Sequence, residues 1–215
     1  MSAFLGGEIE RQIDDMVAVV RAVAPAVDAA RLSQRVRDGY DVAYRSNAYR
    51  QRTEQDAFLL SLCCIVLACW RALREALGSD ARALVILRQS FVEPRRAHVR
   101  EWLASRMKIT REDAGHAFER AAENFKSGGE AVFGESFAYV QEVQDGERSF
   151  VNVERCFFND FFRGNGAPQV TPVFCALDTV WADELNAGPY NVTFERPSVL
   201  SSGADRCRFQ FHRRP

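Results

Sequence analysis

The feature that most constrains this chain is a change of hydrophobic periodicity at the adjacent pair Gly128-Gly129. Upstream, apolar residues recur at helical spacing; downstream they alternate. Composition changes at the same place, with 21 alanines and five of the 16 phenylalanines before the pair, and seven alanines and eleven phenylalanines after it. Alanine loses no side-chain entropy in a helix, whereas aromatic residues fill a pleated, half-buried surface. The chain is therefore expected to be α+β, with a helical N-terminal half packed on a C-terminal four-stranded antiparallel sheet and two helices inserted between the two hairpins. Residues 1–129 and 130–215 carry the two regions, and one compact unit is expected.

Helices are expected over about 8–23 and 27–51, separated by Pro25, and over 58–77, closed by Gly78. Another starts from a cap at Ser79 or Asp80 and breaks or kinks at Pro94, before a helix over 95–107. A capping box of Thr110 and Asp113 opens a helix whose stripe is Ala114, Phe118, Ala121, Ala122 and Phe125, with a stop at Gly128-Gly129.

Beyond the glycines, Phe137, Tyr139, Gln141 and Val143 alternate with Ala138, Val140 and Glu142. Asp145-Gly146 supplies a turn and residues 148–154 the returning strand. A short helix over about 156–162 ends in Arg163-Gly164-Asn165-Gly166. Thr171-Pro172 offers the N-cap and first position of a second, running to about Leu185. Tyr190, Val192, Phe194 and Arg196 share one face of a third strand, and Cys207, Phe209 and Phe211 one face of a fourth. Pairing Arg196 with Cys207, Phe194 with Phe209 and Val192 with Phe211 keeps every aromatic on one side.

Lys plus Arg is 28 against 29 Asp plus Glu, a formal net charge of -1. No global field draws the chain to nucleic acid or an anionic membrane, so the expected partner is a small molecule; a homo-oligomer is compatible with the sequence. Only Lys108 and Lys126 are lysines against 26 arginines, read as codon usage of a GC-rich bacterium. The start MSAFLGGEIERQ lacks the basic and apolar regions of a signal peptide, which predicts a cytoplasmic protein with free thiols. The most apolar uncharged stretch, 57–70, has fourteen residues where a membrane span needs about twenty, and is read as a buried helix.

Chemistry concentrates in the second region. Cys156 opens a helix, where free amides and the dipole favour a thiolate, although cysteine is also a common core residue and four phenylalanines surround this one in sequence. Cys175 and Asp178, three apart on the next helix, point a thiol and a carboxylate the same way; a core cysteine beside a solvated aspartate is the plainer alternative. Arg196 beside Cys207 would grip a carboxylate through two parallel hydrogen bonds, or would lie where a strand frays. Cys63, Cys64 and Cys69 read as packing, and His98, His116 and His212 have no catalytic or zinc spacing. The sequence contains no Gly-rich phosphate loop, HExxH, CxxC or G-x-S-x-G.

Taken together, Val153-Glu154-Arg155-Cys156, Gly166-Ala167-Pro168, Phe174-Cys175 with Asp178, and Gly203 with Cys207-Arg208-Phe209 resemble the L-2-amino-thiazoline-4-carboxylic acid hydrolase family, mainly over residues 150–211. The resemblance implies hydrolytic opening of a carboxylate-bearing cyclic isothiourea to a carbamoyl-cysteine, without a cofactor. It implies Cys175 as nucleophile, Asp178 as its base or as the group that activates water, Arg196 as carboxylate anchor, and Cys156 and Cys207 completing the pocket. A rival reading makes Cys156, Cys175, Cys207 and Asp178 ligands of Zn²⁺, against which stands the absence of close ligand pairs. The closing Cys-x-Phe is also similar to 4-vinyl reductase-type ligand-binding domains, which implies a non-catalytic sensor. A tailoring enzyme acting on a different ring is a further alternative.

Overall fold

Local signals set several helix boundaries. Asp28 caps the second helix, accepting from the amides of Ala30 and Arg31 at 3.0 Å each. Thr53 and Asp56 form a reciprocal capping box that starts the third helix at Glu54 rather than 58, and Gly78, at φ 61°, ends it. The computed structural model describes residues 2–214, with side chains from residue 7 onward. Its helices are α1 (Ser2–Val23), α2 (Ala29–Asn47), α3 (Glu54–Leu77), α4 (Asp80–Arg96), α5 (Val99–Arg106), α6 (Ala117–Phe133), α7 (Phe157–Gly164) and α8 (Thr171–Ala187). Its strands are β1 (Ala138–Gln144), β2 (Arg148–Arg155), β3 (Val192–Glu195) and β4 (Cys207–Arg213). The α+β order holds, with α7 and α8 between β2 and β3. Internal contacts group the chain into two compact units, one running to Pro94 and including Phe161–Phe174, the other comprising Arg95–Asp160 and Cys175 onward.

In the first unit α3 is the core helix, with Leu59, Leu60, Cys63, Cys64, Val66, Leu67 and Cys69 at 0% exposure. Its 24 residues make it long and apolar enough to cross a membrane, more than the uncharged stretch suggests, yet 83% of the apolar window is buried. Pro94 does not break α4, which carries it in its last turn and ends at Arg96. The Asn47 and Asn165 amides bond reciprocally at 3.0 Å and hold the turn after α7.

In the second unit the sheet is antiparallel, in the order β1-β2-β4-β3. Asp145 closes the first hairpin by accepting from the amides of Glu147 and Arg148. Phe125 of α6 meets Phe209 and Phe211 at 5.0 Å, and Trp181 of α8 meets Phe194 at 4.5 Å, so both helices bury the aromatic face.

Three expectations are corrected here. First, α6 does not stop at Gly128-Gly129 but continues to Phe133. These glycines serve close approach: a Cβ on Gly128 would lie 3.1 Å from the Arg106 carbonyl oxygen, and one on Gly129 2.6 Å from the Tyr139 ring. Second, Thr110 and Asp113 do not open the helix. Thr110 caps only a turn, through the Asp113 amide, and a 3-10 turn over Ala114–His116 follows. The α6 cap comes from a distant side chain, since Asn191 accepts from the Phe118 amide at 2.8 Å.

Third, β3 and β4 pair two residues away from the expected register. Phe194 faces Phe211 and Val192 faces Arg213, so Arg196 does not come opposite Cys207. Asn186 brackets the outer edge of Phe194, accepting from its amide at 2.7 Å and donating to its carbonyl at 3.0 Å, while Pro197 has no N–H with which to extend the ladder. A shift of two leaves each side chain on its original face, so the aromatic face survives.

Candidate active site

Helix α8 brings the first two groups. Cys175 and Asp178 lie one turn apart, but Thr171 is not the cap expected for this helix. A 3-10 turn over Pro168–Val170 runs into α8, Thr171 is itself helical, and its buried hydroxyl has no partner among the described residues. Cys175 therefore stands in the second turn, where the helix dipole has weakened.

Arg196, just past β3, reaches back to both. One guanidinium nitrogen donates to Asp178 Oδ2 and another to the Cys175 carbonyl at 2.9 Å, with the guanidinium carbon 5.6 Å from the Phe209 ring centroid. Trp181 Nε1 donates to the other Asp178 oxygen at 3.2 Å. A guanidinium carries five N–H groups, so three of those on Arg196 are left for a ligand.

The connection between β3 and β4 holds two of the thiols. Its 3-10 turn over Leu200–Ser202 ends at Gly203, which at φ 90° adopts a left-handed conformation that favours glycine. From this turn the Ser201 hydroxyl shares a hydrogen bond with Cys175 Sγ at 3.3 Å, and the Leu200 amide donates to Cys207 Sγ at 3.2 Å. The turn is fixed at its base, where the Arg208 amide donates to the Ser198 carbonyl at 3.1 Å.

Cys156 caps α7 from outside, its carbonyl accepting from the Asp160 amide at 3.1 Å. Burial pushes its thiol well up, against the pull of the Asn159 and Phe158 amides, and the nearby Cys207 and Cys175 thiols add to the rise. It is a thiol at neutral pH, not the thiolate that helix position alone suggests. Burial likewise raises Cys175, partly offset by Ser201, and takes Cys207 up to about 11. The Asp178 carboxyl also sits above its ordinary range, because desolvation outweighs Arg196 and Trp181. The fold thus brings Cys156, Cys175, Cys207, Asp178 and Arg196 into one neighbourhood whose anionic groups oppose one another's ionisation.

Ser201, the Leu200 amide and Tyr139 escape a reading of the sequence alone. The Ser/Gly run 201–203 signals a turn but not its target; Trp181, three residues after Asp178, carries a readable helical spacing. Among the described residues no three His, Cys, Asp or Glu side chains are grouped to hold a metal ion. The zinc set does not fit, since Asp178 is turned to Arg196 and Trp181 and Cys207 to an amide. A cleft of about 750 Å³ lies in the first unit, lined by Pro25, Arg31, Arg35, Glu75 and Arg82 among others. It offers no nucleophile, and Arg35 is already paired with Glu75 at 2.7 Å.

A model of the L-2-amino-thiazoline-4-carboxylic acid hydrolase family matches residues 60–211, most of the chain. The chain belongs to that family. The matched segment starts within α3 and takes in every residue of the site just described, so the family relationship extends well into the helical region. No curated protein matches the chain.

Proposed function

We propose that this member of the family hydrolyses a small, carboxylate-bearing cyclic isothiourea of the 2-amino-thiazoline-4-carboxylate kind, giving a carbamoyl-cysteine-like product. The observation that carries this reading is the grouping of Cys175, Asp178 and Arg196: a thiol and a carboxylate one helical turn apart, with a guanidinium that donates to that carboxylate and to the Cys175 backbone carbonyl and has N–H groups to spare. The spare donors suit the substrate carboxylate. As that carboxylate competes for Arg196, Asp178 loses part of its neutralising partner and becomes the stronger base.

Asp178 then accepts the Cys175 proton and passes it to the ring nitrogen as the sulfur adds to the amidine carbon, which returns Asp178 to the carboxylate. Collapse breaks the bond from that carbon to the ring sulfur, which leaves with the electron pair. Water, deprotonated by Asp178, adds to the enzyme-bound isothiourea and expels Cys175, leaving a urea carbonyl. One water is consumed overall. The raised Cys175 thiol favours a second reading in which Asp178 drives water directly onto the amidine carbon.

Turnover of the thiazoline by Cys175→Ser and Asp178→Asn tests both. Loss of several orders of magnitude in Cys175→Ser, with a covalent adduct trapped by mass spectrometry in the parent protein, supports the thiol nucleophile. A nearly silent Cys175→Ser beside an inactive Asp178→Asn supports direct hydration. Near-parental turnover in both folded variants defeats the assignment, and a parent protein that binds the thiazoline without turnover is the sensor.

A further inference from the structure

Tyr139 takes no part in the steps above, yet the second unit is shaped around it. On β1 it pairs with Val153 of β2, which pairs with Cys207 of β4. Tyr139 and Cys207 thus belong to one row on one sheet face, their Cα atoms two strand spacings or about 10 Å apart. Phe125 meets the ring edge-on at 6.4 Å and Phe137 stacks on it at 6.0 Å, which fixes its plane.

Gly129 admits the ring. A Cβ there would stand 2.6 Å from Tyr139 Cζ and 2.8 Å from its hydroxyl oxygen. Glycine inside a helix costs helix stability, and here the missing side chain is what lets the phenol lie against α6. Burial, then the charges of Asp178, Cys156, Glu130 and Cys207, hold the phenol neutral through the physiological range. Its hydroxyl has no hydrogen bond to any described residue. Tyr139 is half-buried, so its unpaired hydroxyl is open to an acceptor that a ligand supplies.

We infer that Tyr139 is a further catalytic residue of the proposed ring opening, its hydroxyl donating a hydrogen bond to the ring sulfur as the bond from that sulfur to the amidine carbon breaks. This rests on the ring-opening reading. Arg196 follows β3 and Tyr139 lies on β1, the opposite edge strands of the sheet. The role requires that a substrate with its carboxylate on Arg196 and its amidine carbon at Cys175 turn its sulfur toward the β1 side. Tyr139 keeps its proton, and the sulfur retains the electron pair and is protonated by water. The hydrogen bond strengthens as charge builds on sulfur, so it acts on the transition state more than on the bound substrate.

Tyr139→Phe removes the hydroxyl alone. With thermal unfolding confirming a folded variant, kcat on the thiazoline is expected to fall roughly ten- to a hundredfold with KM within about twofold. On the oxazoline analogue, whose departing oxygen is more basic than sulfur, the gap should widen. Unchanged kcat, an effect on KM alone, or a narrower gap on the oxazoline overturns the role of Tyr139 and leaves the ring-opening reading standing. A parent protein that turns over neither ring overturns both.

Discussion

Arg196 and Asp178 form a partly buried ion pair: their side chains keep 14% and 31% of their surface. The pair ties the end of β3 to α8, and the second Arg196 contact, to the Cys175 carbonyl, fixes the turn that carries the thiol. Arg196→Ala leaves a partly buried carboxylate without its counter-charge. The expected loss is about 1–3 kcal/mol, below that of a fully buried pair because Asp178 retains some solvent. Urea titration measures it, and a loss within the noise of an ordinary surface substitution would show that the pair does not hold the site together.

Asp178 must be ionised to act as a base. Because burial raises its carboxyl above the ordinary range, kcat is expected to rise with pH through that raised value, and Asp178→Asn to lose both activity and the limb. The same shift makes folding less favourable as pH increases through it, since the unfolded chain gives up that proton first. A pH–rate profile flat across the acid range would remove Asp178 from the proton transfer.

The buried thiols predict alkaline sensitivity. Cys207 is pushed up to about 11, and Cys64 and Cys69 up to about 12, by burial. An unfolded chain releases thiol protons near the ordinary value, so above about pH 9 it binds fewer protons than the folded protein, and stability falls as pH rises toward the raised values. Each thiol contributes on the order of 3 kcal/mol across that window. Urea midpoints measured from pH 8 to 11 should drop, and Cys69→Val should flatten the curve; equal slopes in the two proteins would count against this account.

Gly129→Ala places a methyl group against the Tyr139 ring, which Phe125 and Phe137 prevent from moving aside. Overpacking typically costs about 1–3 kcal/mol, against about 1 kcal/mol gained from alanine in a helix, so a net loss of up to about 2 kcal/mol is expected. Adding Tyr139→Leu, which vacates the far end of the ring, should recover it. A double-mutant cycle with no coupling would show that the contact does not limit this helix.

The sequence by itself determined the order of helices and strands, the faces of the strands, and the pairing of Cys175 with Asp178 on one helical turn. Those properties depend on periodicity and on caps a few residues away. It could not separate two β3–β4 registers that differ by two residues, because the strand repeat is also two; the Asn186 side chain and Pro197 decided between them. It misread Gly128-Gly129, because a helix stop and a close approach both ask for glycine and only the position of Tyr139 distinguishes them. It offered both a thiolate and a core thiol at Cys156, because a helix end is visible locally, whereas desolvation, the larger effect, depends on everything packed around the sulfur. The Cys175–Ser201 bond and the Arg196 bridge to Asp178 join residues 26 and 18 positions apart, and the folded loop after β3 decides whether such groups meet.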